Sequence, residues 1–140
     1  FFKYCANTAK FSVSEKLYFK VLLSKSSPVY WAVATIEKII KQDLFKYFAV
    51  KLLAAKDVSK VDLWANEFYN EFLKPKAIDA TLRIMNGFNP TEVILISATL
   101  TPIARAIAYN LGIENFLSTQ LEEKNGKMVI CHDNQKGKIL

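Results

Sequence analysis

The run Val93-Ile-Leu-Ile-Ser-Ala-Thr-Leu-Thr-Pro-Ile-Ala-Arg-Ala-Ile-Ala-Tyr-Asn-Leu-Gly112 constrains the fold more than any other part of the chain. Four apolar residues end abruptly in small hydroxyl residues, and the pattern then changes period. Residues 93–96 read as a strand buried on both faces. Pro102 suits a first helical turn, Ile103, Ile107 and Leu111 recur at helical spacing, and Gly112 ends the helix. Ser97, Ala98 and Thr99 then fall at the carboxyl end of a strand, where open parallel sheets bind ligands. The free N–H groups of a following helix favour an oxyanion there, and a hydroxyl at this corner could donate to phosphate.

The 140 residues are 51% hydrophobic and 23% charged, with 4 Gly and 4 Pro, an ordinary globular composition of one domain's length. The chain carries a net charge of +6, and its lysines are dispersed from Lys3 to Lys138 rather than gathered in a block, which argues against nucleic acid as a partner. Two cysteines, Cys5 and Cys131, have no metal-ligand spacing, so free thiols in a reducing cytoplasm are expected. His132 follows Cys131 directly, and neighbours on an extended chain point to opposite faces, so the two are not read as nucleophile and base. No apolar run reaches the roughly 18 to 20 residues of a membrane helix. The apolar region 28–55 is interrupted by Glu37, Lys38, Lys41, Asp43, Lys46 and Lys51. The first residues lack the order of features that marks a signal peptide, and the opening Phe1-Phe2 suggests a fragment or a processed start.

The texture changes near Pro75. Upstream, residues 4–24, 29–54 and 61–73 carry aromatic and aliphatic side chains three and four apart, which predicts three or four amphipathic helices. Ser59 is a candidate cap for the last of them, with Asp62 as the acidic member of a capping box, and Leu63, Trp64, Phe68 and Phe72 form a stripe expected to be core. Downstream, residues 76–86 read as helix, 93–96 as strand, 102–111 as helix and 115–118 as a second strand. A hairpin turning at Asn125-Gly126, a dipeptide suited to positive φ, follows. The expected organisation is a helical domain over residues 1–75 and an α/β domain over residues 76–140.

Four pieces in order, Val93-Ile-Leu-Ile-Ser-Ala-Thr, Tyr109-Asn-Leu-Gly112, Thr119-Gln-Leu-Glu-Glu-Lys-Asn-Gly-Lys and Asn134-Gln-Lys-Gly-Lys-Ile-Leu140, together resemble the haloacid dehalogenase superfamily, in particular its phosphoserine-phosphatase-like branch. The segment from Lys56 to Phe68 and Leu73-Lys-Pro-Lys is more loosely similar to the run that leads that branch's helical cap back to the core. The resemblance implies an α/β, Rossmann-like parallel sheet, here partial, with an all-helical cap. It implies a magnesium-dependent phosphatase acting on a small phosphomonoester through a phospho-aspartate. On this reading Ser97 and the N–H of Ala98 hold a phosphate oxygen, and Lys136 neutralises the phosphate and the nucleophilic carboxylate. Lys136 is preferred to Lys138 because of its Asn134-Gln-Lys-Gly frame. Phe11, Tyr18, Trp31 and Tyr47 could line a cap pocket but are assigned to packing between helices.

The chain departs from that pattern in what it lacks. No apolar strand ends in Asp-x-Asp, and no acidic motif follows Lys136, so the nucleophile, the general acid and the Mg2+ ligands are not among these residues. Asp43, Asp57, Asp62, Asp79 and Asp133 do not end apolar strands and are poor substitutes. The expectation is therefore the interior of a longer enzyme, catalytically silent alone, with an apolar slot where a central strand belongs and a tendency to aggregate or dimerise. Two other readings stand beside it. One is a non-catalytic binding or regulatory α/β module. The other is a nucleic-acid-dependent ATPase suggested by Ser97-Ala98-Thr99, although no phosphate-binding Gly-Lys-Thr loop is present. Oligomeric state and substrate identity are not written in the sequence.

Overall fold

The computed structural model describes residues 1–41, 43–54 and 56–129. The fold is α/β, mostly helical, with a small parallel sheet, and it forms two compact units that divide between residues 54 and 55.

The described residues of the first unit form four helices: α1 (Phe2–Asn7), α2 (Val13–Leu23), α3 (Pro28–Ile40) and α4 (Leu44–Val50). The long helical runs expected over residues 4–24 and 29–54 are each broken in two, for local reasons. Ala9 takes a positive φ of 58° and Ser12 then starts α2 through a capping box. Its hydroxyl accepts from the Glu15 N–H, and its own N–H donates to the Glu15 carboxylate at 2.8 Å. Likewise Lys41 ends α3 at φ 53°, and Asp43 opens α4 by accepting the Lys46 N–H at 2.8 Å. Ser27 caps α3, with Pro28 in the first turn. Cys5, Phe11, Phe19, Leu22, Val33, Val50 and Leu53 of this unit are buried.

The second unit begins with α5 (Val58–Phe68), continued by a π-helical turn over Tyr69–Leu73 and a 3-10 turn over Lys74–Lys76. Next come α6 (Asp79–Met85), β1 (Ile94–Leu100), α7 (Thr101–Leu111) and β2 (Asn115–Thr119). β3 (Glu122–Lys124) and β4 (Lys127–Val129) form the antiparallel hairpin. β1 and β2 are parallel neighbours joined through α7, a βαβ unit. α5 packs against α7, burying Val61, Trp64, Ala65 and Phe68 on one helix and Ile103, Ala104, Ala106 and Ala108 on the other. Arg105 and Asp62 pair across the helices at 2.7 Å, and Asn110 donates to Asn66 at 3.2 Å.

Four expectations change here. The division of the chain falls before α5 rather than at Pro75, because the apolar stripe of α5 packs with α7 of the α/β part. That stripe runs through residues 61, 64, 65 and 68 and leaves Leu63 and Phe72 exposed. α5 starts at Val58 behind Asp57, so Ser59 is no cap, and Asp62 is engaged by Arg105. β1 is longer than residues 93–96. It is not buried on both faces, since Ile94 and Ile96 are 57% and 49% exposed and only one edge of the strand is paired among the described residues.

The two turn signals hold. Asn125 and Gly126 take φ values of 53° and 72° in the hairpin, and the Gly126 carbonyl accepts the Val58 N–H at 3.1 Å, tying the hairpin to the start of α5. Gly112 ends α7 at φ 68°, while the Ile113 N–H closes on the Ala108 carbonyl at 2.9 Å. A Cβ at residue 112 would meet no atom within 4 Å, so its cost is conformational. Gly112→Ala is expected to destabilise the fold by about 1 to 2 kcal/mol, read as a lower urea midpoint. An unchanged midpoint would contradict the left-handed stop.

Candidate functional site at the end of the first parallel strand

The carboxyl end of β1 is irregular. Ile96 faces Leu117 and Leu100 faces Thr119, so Ser97, Ala98 and Thr99 together oppose Ser118 alone. A strand with surplus residues bulges, and a bulge re-aims side chains and leaves backbone groups outside the ladder. Hydroxyl groups fasten this one. The Thr99 N–H donates to Ser97 Oγ at 3.1 Å, and Thr119 Oγ1 donates to the Ala98 carbonyl at 2.9 Å. Thr101 Oγ1 donates to the Thr119 carbonyl at 3.0 Å and lies 3.2 Å from Ser118 Oγ, which donates to it.

Helix α7 begins directly after the bulge. Its N-cap is Leu100, whose side chain makes no capping bond, and Pro102 lies in the first turn. Side-chain capping therefore leaves the first-turn N–H groups of Thr101 and Ile103 untouched, in the orientation that favours an anion. Ser97 is half-buried and Ala98 exposed, so the corner is open to a ligand. A serine oxygen that accepts from Thr99 still has its own proton to donate. The arrangement can hold one or two anionic oxygens.

Of the expected site residues, Ser97 and Ala98 thus lie together on the bulge. Lys136, its alternative Lys138, and Cys131, His132 and Asp133 lie outside the described residues. Among the described residues no group of three or more His, Cys, Asp or Glu side chains converges where a metal could sit. Of the four aromatic residues weighed as cap-pocket lining, Phe11 is buried and Tyr47 half-buried. Trp31 is exposed and donates from Nε1 to the Lys25 carbonyl, and Tyr18 borders a cavity. Sequence reasoning missed Thr101, Ser118 and Thr119. The signal was the matched pair of strand ends, Ser97-Ala-Thr-Leu-Thr101 and Ser118-Thr119, whose hydroxyls meet only once the parallel register is known.

No family model matches the chain, and no curated protein matches it. Its fold is similar to that of a protein of unknown function from Bordetella pertussis Tohama I, seen in a crystal structure. The TM-score is 0.58 and the identity 17%, over 89% of this chain and 62% of that one. The likeness supports the α/β fold, and the chain spans under two thirds of that neighbour's length. Among the described residues no helix is long and apolar enough to cross a membrane.

Thr101→Val keeps the shape of the side chain but removes both hydroxyl contacts to β2. It should lower stability by about 1 to 2 kcal/mol in urea unfolding. A variant as stable as the parent would show that the hydroxyl cluster does not hold the bulge.

Proposed function

We propose that the chain is part of a cytoplasmic phosphatase of haloacid dehalogenase type, in the phosphoserine-phosphatase-like branch, acting on a small phosphomonoester. The observation that carries this reading is the Ser97 bulge, which sets a donor hydroxyl at the end of a parallel strand immediately before α7. The second edge of β1, unpaired among the described residues, supports it. A strand added there would bring a nucleophilic carboxylate alongside Ser97. The helices preceding β1 fit the role of a cap.

In this enzyme Ser97 Oγ–H and the Ala98 N–H bond a non-bridging phosphate oxygen, and both bonds strengthen as negative charge builds in the transition state. Lys136, or Lys138, adds a compact positive charge to the same oxygens. Ser97, Ala98 and the lysine bind, orient and neutralise; the carboxylates that do the bond-making come from outside this chain. The nucleic-acid-dependent ATPase reading of Ser97-Ala98-Thr99 would need a Gly-Lys-Thr phosphate loop, which these residues lack, and nothing in the geometry favours it.

The test is hydrolysis of p-nitrophenyl phosphate and phosphoserine by the whole polypeptide that contains these residues, in Mg2+ buffer. Phosphatase activity should be present, and Ser97→Ala should lower kcat/KM by about 100-fold or more. Absence of turnover, or turnover untouched by Ser97→Ala, would overturn the proposal, the first outcome favouring a non-catalytic module.

A further inference from the structure

The helical unit has a chemistry of its own. Residues 1–54 carry nine lysines against Glu15, Glu37 and Asp43, while basic and acidic side chains balance over residues 55–140. The entire net charge of +6 therefore sits on α1 to α4 and their loops. The same unit exposes apolar surface: Leu17 is 61% exposed, Val29 44% and Val21 38%. These three residues border an open cavity of about 440 Å³ between α2, α3 and α4, with Tyr18, Val33 and Phe48 completing most of its wall. That volume lies within the range of small-molecule sites. Ser14 and Tyr18 bring the hydroxyls of the lining. At one side Lys51 Nζ lies 5.5 Å from the Phe48 ring centroid and 4.6 Å from that of Tyr47, so an ammonium borders the apolar wall. The Tyr18 hydroxyl feels both surroundings: burial pushes its pKa up, and the Lys51 charge pulls it back.

An apolar hollow beside a cation, on a unit with a large positive excess, is complementary to a molecule that is apolar along its length and negative at one end. We infer that this cavity binds a single-chain amphiphile with an anionic head, a long-chain carboxylate, whose chain lies among Leu17, Val21, Val29 and Val33 and whose head meets Lys51. Two other occupants fit less well. A second copy of the chain would bring a second unit of the same positive charge against the first. A bilayer surface would engage the protruding Leu17 and Val29 but not Leu22 and Val33, which line the hollow and are almost fully buried. The inference stands apart from the phosphatase reading, since it uses no residue of the Ser97 corner.

The test is calorimetric titration of the full chain with dodecanoate below its micelle concentration, alongside butyrate and dodecyltrimethylammonium. Expected are saturable one-to-one binding of dodecanoate and binding at least about tenfold weaker for the other two. Lys51→Glu should weaken dodecanoate about tenfold or more, while Lys51→Arg keeps it. Val21→Trp, a bulky residue at a partly exposed position, should block the cavity, with helicity by circular dichroism confirming that it folds. Lack of saturable dodecanoate binding to the folded parent would overturn the inference. So would equal binding of the cationic amphiphile, insensitivity to both Lys51→Glu and Val21→Trp, or association only with anionic vesicles, which would assign the surface to a membrane.

Discussion

The packing of α5 on α7 is the constraint on which the α/β unit depends. α7 is the crossover of the βαβ unit, and two strands with one crossover cannot bury an apolar helix face alone. α5 supplies the missing layer. Val61, Trp64, Ala65 and Phe68 of α5 are removed from water, as are Ile103, Ala104, Ala106 and Ala108 of α7. The Asp62–Arg105 pair lies at the margin of this contact with both side chains partly exposed, so it fixes alignment more than it adds stability. With α7 held, its amino end is fixed immediately after β1, and the bulge has a defined place to sit.

The bulge itself follows from a mismatch in length. β1 spends more residues than β2 to travel the same distance, and side-chain hydroxyls take the hydrogen bonds that the ladder gives up. Small polar residues are suited to this, because Ser97, Thr101 and Thr119 reach main-chain groups at short range without displacing core side chains. The consequence is chemical. A corner that needs hydroxyls for its own geometry also presents a hydroxyl and amides to a ligand.

Much of this architecture is legible in the sequence. The strand, the helix behind Pro102, the Gly112 stop and the Asn125-Gly126 hairpin depend on nearest neighbours, and each appears where local pattern puts it. The register of β1 on β2 is a long-range property, so the extension of β1 through Leu100 and the partnership of Thr101 with Thr119 could not be read from spacing. The helical half shows the opposite error. Apolar periodicity runs on through Ala9 and Lys41, yet both residues take positive φ and the serine and aspartate caps beyond them restart the helix. Periodicity reports which faces are buried and does not count helices. Nor does it tell a helix which partner to choose: α5 shares the texture of the preceding helices but packs with α7.

Whether the Ser97 corner receives an anion separates a phosphate site from a purely structural joint. Amide NMR of the 15N-labelled chain during titration with orthophosphate, with chloride as the control, reads that corner residue by residue. The amides of Ala98 and of Thr101 and Ile103 in the first turn of α7 should move together along a single saturable curve, and Ser97→Ala should weaken it. If those amides stay still while phosphate shifts only lysine-rich segments elsewhere, the bulge is a structural joint between strand and helix and not a phosphate site.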